Sequence, residues 1–465
     1  MTTECIASKL EFQGLDGRRV EAEFNGGQIT SDAGGLLLRE VESRYGFIRG
    51  LAACFEDRRD PRFTEFSVEE LVGQRIYGLA LGYEDVNDHE ELRADPLMAV
   101  LVGKEDPLGR DRRAEADRGK ACAGKSTLNR LELSSVAQDK YRKTPVDEAA
   151  VEAFLVEQFI RVRGGKPKEL VLDLDATDDP LHGEQEGRFY HGYYRCYCYL
   201  PLYVFCEGYV LGAKLRVSNL DGSEGAVQEM ERIVGQLRAK WPKVRLTLRA
   251  DSSFAREGLM KWCEEHRVDY VFGWARNKRL ERALESELEQ AQALQQASGS
   301  RARVYKDFRY QTRKSWSQER RVVGKAEYTG KGSNPRFVVT SLGAKRWPAH
   351  KLYEELYCAR GEAENRIKEQ QLELFADRTS THLMKSNQLR LWFSSVAYNL
   401  LHTLRGVALK GTQWAKAQCQ TIRLKLLKIG GQIRVSVRRV SLSLSEGYPY
   451  QSLYAQALAQ LQQLG

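Results

Sequence analysis

The chain has 465 residues, 42% of them hydrophobic, and a formal net charge of +9. That length exceeds one compact core and predicts two to four domains, while no run of about 18 apolar residues is present to span a bilayer. The N-terminal stretch lacks the basic-then-apolar order of a secretory leader, and nine cysteines without a C-x-x-C pair fit reduced thiols better than a disulfide framework or a zinc site.

The positive charge is concentrated. Residues 301–346 carry 13 basic and 3 acidic side chains, and residues 407–465 carry 8 and 1, which leaves the rest of the chain net negative. Two basic segments on an otherwise acidic chain are what a nucleic-acid surface requires, although a solvated basic face remains the alternative for either one alone.

Taken in order, residues 1–165 predict a mainly helical N-terminal region after a short extended start. Ser67 and Glu70 have the spacing of a capping box before an apolar periodic run. Residues 103–125 read as a charged, Gly-rich loop. Within it, Gly119-Lys-Ala-Cys-Ala-Gly124-Lys125-Ser126 satisfies the phosphate-loop pattern for nucleotides. That pattern needs a buried strand feeding the loop. The preceding Arg-Asp-Arg-Arg-Ala-Glu-Ala-Asp-Arg cannot be one, so no ATP site is expected.

Residues 166–278 change character. Glu169-Leu-Val-Leu-Asp-Leu-Asp-Ala reads as a strand, from which Asp173 and Asp175 leave on the same face. Strand-like runs follow at residues 196–206 and 209–217, then a helix at 223–240, a strand at 243–249 ending before Asp251, a helix at 258–267 and a strand at 268–274. Three strands, helix, strand, helix, strand predicts a mixed α/β sheet with an antiparallel start, and sites in such sheets gather at the carboxyl ends of strands. Residues 279–296 look like a helical spacer, and residues 303–342 like an inserted β subdomain in which basic residues alternate with aromatics.

Residues 351–374 are rich in good helix formers and predict a single helix. At roughly 100° per residue, Tyr357, Arg360, Glu364, Lys368 and Gln371 fall on one narrow face. The alternative is a solvated helix held by i,i+4 ion pairs. An apolar helix at residues 383–404 should pack beneath the sheet, and residues 407–465 end the chain with alternating basic residues suited to an arm along a phosphate backbone.

Asp175 and Asp251 at strand ends, together with Glu364, form a hard-oxygen set that suits Mg²⁺ or Mn²⁺ better than zinc. Two such ions can drive displacement at a phosphodiester without a nucleophilic side chain. Tyr357, Arg360 and Lys368 would then meet phosphates. Taken singly, each aspartate could equally be a turn or cap residue.

These residues resemble a bacterial insertion-sequence transposase of the DDE superfamily, in the branch marked by a Y-(2)-R-(3)-E-(6)-K signature and most like the family founded by insertion sequence 1380. The motifs are Leu-Asp-Leu-Asp175-Ala-Thr-Asp-Asp-Pro, Arg-Ala-Asp251-Ser-Ser-Phe-Ala and Tyr357-Cys-Ala-Arg360-Gly-Glu-Ala-Glu364-Asn-Arg-Ile-Lys368. The resemblance implies a ribonuclease H-like α/β catalytic domain split into residues 166–278 and 347–406 by a β-rich insertion at 279–346, with a mainly helical N-terminal domain and a basic C-terminal segment for DNA or dimer contacts. It implies Asp175, Asp251 and Glu364 as catalytic metal ligands, Asp175 being chosen over Asp173 by its Asp-x-Thr context. It also implies DNA contacts from Tyr357, Arg360, Lys368 and the insertion residues Arg320 and Arg321, and a flipped base stacked on an insertion aromatic, for which Trp316 is the candidate, a packed tryptophan of the β subdomain being the alternative.

The implied activity is cut-and-paste transposition by a cytoplasmic homodimer assembled on double-stranded terminal repeats, with no membrane partner. A nuclease that cannot join ends, or an inactive DNA-binding repressor, are the competing expectations. Two positions depart from the pattern: the signature's last lysine is Gln371, with Lys368 one turn earlier, and Ser253 stands where relatives usually carry glycine.

Overall fold

The computed structural model describes residues 9–133 and 142–463. It contains two compact units, one made of residues up to Ala52, Asp57–Leu131 and everything from Thr403 onward, the other of Ala53–Glu56 and Glu132–His402. Among the described residues no helix is long and apolar enough to cross a membrane, and the eight described cysteines are free thiols.

The first unit joins the two ends of the chain. The short strand Gln28–Thr30 pairs antiparallel with Gly431–Ser436, which in turn pairs with Arg439–Leu444. The expected arm is therefore a hairpin in a small sheet, followed by the helix Gln451–Gln463. At the centre runs Val68–Leu81, whose capping box is as the sequence predicts: the Glu70 N–H donates to Ser67 Oγ at 3.1 Å, and the Ser67 N–H to Glu70 Oε2 at 2.6 Å. The helix is buried on every side after its first turn, the property of an element inside a core. At the phosphate-loop pattern, turns rather than a strand precede Gly119, and the Lys125 N–H already donates to the Glu90 carboxylate at 2.8 Å. A carboxylate there takes the donor that a phosphate would need.

The second unit is built on one nine-stranded sheet, ordered Ala302–Tyr310, Arg320–Thr329, Arg336–Thr340, Asp269–Trp274, Arg245–Ala250, Glu169–Ala176, Leu202–Cys206, Tyr209–Lys214, with Gly332–Ser333 beside the second. The three central strands, Glu169–Ala176, Arg245–Ala250 and Asp269–Trp274, are parallel, and the outer ones antiparallel. Leu170, Leu172 and Leu174 face a large core beneath the helices Ala226–Lys240 and Glu257–Glu265. On the other face Val271, Val323 and Val338 are covered by Leu352, Tyr353 and Leu356. Alternation along Glu169–Ala176 thus sends Asp173 and Asp175 towards the segment that carries Tyr357 and Glu364.

Three expectations need correction. Residues 303–342 are not a separate β subdomain: Arg336–Thr340 pairs with Asp269–Trp274, so the inserted strands lengthen the central sheet. Composition cannot show that pairing, because the two strands lie far apart in sequence. The Glu285–Ser298 helix is not a spacer either, since Leu284 and Ala291 are fully buried in the same core. Lastly, the single helix at 351–374 is interrupted. Leu352–Tyr357 is a wide π-turn segment, Cys358–Arg360 a tight 3-10 turn, and only Gly361–Leu374 a regular α-helix. The wide turn accompanies the burial of Leu352, Tyr353 and Leu356 against the sheet, and such departures recur at functional sites.

Candidate active site

Asp175 leaves the last turn of a central parallel strand, is 8% exposed, and accepts the Ala176 N–H at 3.0 Å. Asp251 follows the adjacent strand, and its Oδ1 accepts both the N–H and the hydroxyl of Ser253 at 2.8 and 2.5 Å. Serine in place of glycine at 253 thus adds a donor that orients this carboxylate. Glu364 lies in the first turn of Gly361–Leu374.

The three carboxylates share one field. Burial first, then the charges of Asp251 and Glu364, push the Asp175 carboxyl up to about 7 against the pull of Arg360. The Arg360 guanidinium stands 3.4 Å from Asp175 Oδ2 and 2.5 Å from Glu364 Oε1. Burial opposes its charge, but Asp175, Tyr357, Glu364 and Asp251 outweigh burial and hold it protonated. Tyr357 completes the group. Its ring packs on Tyr353 and its hydroxyl lies over Gly273 of the third central strand.

Asp173 has a different part. Arg249 grips it through Nε at 2.5 Å and Nη2 at 2.8 Å, and donates through Nη1 to the Leu356 carbonyl at 2.7 Å. The pair ties two central strands to the segment before Tyr357.

The other expected residues are distributed unevenly. Lys368 is exposed on the Glu364 helix. Gln371 Nε2 donates to the Asp178 carbonyl at 2.9 Å, tying that helix to the chain just beyond Asp175. The insertion residues are engaged elsewhere. Trp316 is 5% exposed and packs against Trp274 and Tyr310, Arg320 binds Glu257 and Glu264, and Arg321 binds Asp307 and two backbone carbonyls. In this conformation all three hold the fold together, and none reaches the carboxylates. A group that the sequence reading missed stands closer: the Tyr194 phenol is pushed up by burial, Asp178, Asp175, Tyr193 and Asp251. The run of tyrosines around it was the available signal.

The chemistry of the donor set suits a divalent cation, although in this structure the three carboxylates do not close to within ligand distance of one another. The set contains only hard carboxylate oxygens, its most buried member is driven towards protonation partly by the negative charge of the others, and an internal guanidinium already sits among them.

Fold and site together define an α/β enzyme with an acidic centre at the carboxyl ends of neighbouring parallel strands. A family model, transposase DDE domain group 1, matches residues 12–465, and the chain belongs to that family. It is a transposase, of a class that cuts and joins DNA and typically uses divalent metal ions. Comparison with curated proteins returns no match.

Proposed function

We propose that this transposase binds the terminal inverted repeats of its own insertion sequence, cleaves them, and joins the freed 3′ ends to target DNA. The reading keeps the ribonuclease H-like catalytic core, the kinship with the insertion sequence 1380 branch, and a homodimer formed on DNA. What supports it is the Arg360 guanidinium set between Asp175 and Glu364, carboxylates from two separate elements, with Asp251 following the adjacent strand.

Asp175, Asp251 and Glu364 would hold two Mg²⁺ or Mn²⁺ ions, which supply activation of a water or 3′-hydroxyl and stabilisation of the leaving oxygen. Ser253 keeps the Asp251 carboxylate aimed by two hydrogen bonds. Arg360, planar and permanently charged, would exchange its carboxylate partners for a DNA phosphate, with Tyr357 beside it and Lys368 further along the same helix. The Asp173–Arg249 pair fixes the backbone from which Tyr357 and Arg360 project.

The test uses Asp175→Asn, Asp251→Asn and Glu364→Gln in an excision assay on a marked element, followed by a joining assay with a pre-cut end and a target plasmid. Loss of excision in each variant, with end binding kept, is the expected result. Wild-type excision in all three would remove the assigned site, and cutting without joining by the wild type would make the protein a nuclease instead.

A further inference from the structure

Just beyond Asp175 the chain forms a small three-stranded sheet that the proposed chemistry does not use. Asp179–Pro180 pairs with Cys196–Tyr199, which pairs with Phe189–His191. From Arg188 to Tyr197 the sequence is Arg-Phe-Tyr-His-Gly-Tyr-Tyr-Arg-Cys-Tyr, without one aliphatic side chain, and no carboxylate occurs between Gly187 and Cys206.

Its rings are left in the open. Tyr193 is 84% exposed, Tyr190 57%, Tyr197 44% and Phe189 41%. Tyr190 and Tyr197 face each other across the strands at 5.6 Å, edge to face, and the Arg188 guanidinium lies 4.3 Å over the Tyr197 ring. Arg195, at the turn with φ 59°, is exposed. Tyrosine and arginine anchor protein contacts as well, so the location of these rings selects the partner. Exposed rings, one of them stacked under an Arg188 guanidinium that also pairs with Glu184, offer flat faces that match those of an unpaired nucleic-acid strand. Position adds to composition, because the Asp179–Tyr199 pairing sets this sheet four residues past the catalytic strand's Asp175, and Tyr194 feels the charges of Asp175 and Asp251.

We propose that the hairpin Phe189–Tyr199 is a stacking surface for unpaired DNA bases beside the scissile phosphate, with Tyr190, Tyr193 and Tyr197 as its rings. This rests on the transposase reading for its DNA substrate, and it assigns the role to an element outside the insertion. Stacking on such rings tolerates any base, so the surface would favour an opened strand over a closed duplex regardless of sequence.

The experiment titrates full-length protein, in EDTA, into a short single strand carrying 2-aminopurine and into the matching blunt duplex. Wild type should quench the single-strand fluorescence. Tyr190→Ala and Tyr193→Ala should each weaken single-strand binding by roughly tenfold with duplex binding unchanged, while Tyr193→Phe binds as wild type. Thermal melts matching the wild type establish that the variants fold.

Unchanged single-strand binding in both alanine variants overturns the proposal, as does an equal loss on duplex. So does a change of oligomeric state by sedimentation without loss of strand binding, which would make the hairpin a contact between copies. Because nothing is cut in EDTA, failure of the triad substitutions to stop excision would leave this result standing, and the reverse also holds.

Discussion

The Tyr357 hydroxyl occupies the space that a side chain on Gly273 would take: a Cβ built there would lie 2.6 Å from Tyr357 Oη and 3.0 Å from the Ser252 N–H. The third central strand carries glycine where the phenol crosses it, and the phenol is thereby seated next to Asp251.

Gly273→Ala should therefore push Tyr357 off the sheet. We expect excision to fall about tenfold with a stability loss of about 1–3 kcal/mol, the usual range for overpacking. Adding Tyr357→Phe should recover much of the stability, since the hydroxyl is the clashing atom, without recovering excision. A double-mutant cycle by chemical denaturation, run beside the excision assay, measures both.

The two aspartates of one strand should separate stability from activity. Asp173→Ala strands the buried Arg249 guanidinium, and loss of one partner of a buried pair costs about 3–5 kcal/mol. Asp175→Asn removes a carboxylate crowded by burial and by like charges, and should leave stability equal to or above wild type while abolishing excision. Denaturant midpoints of the two variants, measured together, check the contrast.

Phosphate grip should be readable from salt dependence. Lys368→Ala should reduce the slope of log binding constant against log salt by about 1 for end DNA, the signature of one lost phosphate contact. Gln371→Lys should restore it if the side chain turns from the Asp178 carbonyl to the DNA. An unchanged slope in Lys368→Ala would assign this contact to another residue.

His89 should make stability fall on mild acidification. It is fully buried, and its ring nitrogens face two donors, Gln74 Nε2 at 3.0 Å and Arg75 Nη1 at 3.1 Å, so the ring is held as an acceptor and protonation would turn both nitrogens into donors facing donors. Burial, then the Arg75 charge, holds its pKa well below the ordinary value of 6.5. The unfolded chain takes up the proton near pH 6.5 and the folded chain does not, so stability is lost as pH drops below that point, approaching about 1.4 kcal/mol per unit. Urea unfolding at pH 7.5, 6.5 and 5.5 should show the trend, and His89→Gln, provided it folds, should flatten this contribution.

Much of this was written locally. The alternation that places Asp173 and Asp175 on one face, the capping box at Ser67 and the turn at Glu207-Gly208 follow from periodicity and short-range chemistry, and the structure has each of them. The interrupted helix at 352–360 was not legible, because good helix formers say nothing of a neighbouring sheet that draws Leu352, Tyr353 and Leu356 down onto it.

By itself, then, the sequence determined which residues could carry charge to a common face and which strands would be buried. Tertiary structure alone decided their partners: Arg249 claims Asp173 from 76 residues away, Glu257 and Glu264 neutralise Arg320, and the inserted strands join the central sheet instead of standing apart. Side-chain type and spacing are set along the chain, whereas the pairing that makes one carboxylate a strut and leaves its neighbour crowded by like charges depends on what arrives from elsewhere in the fold.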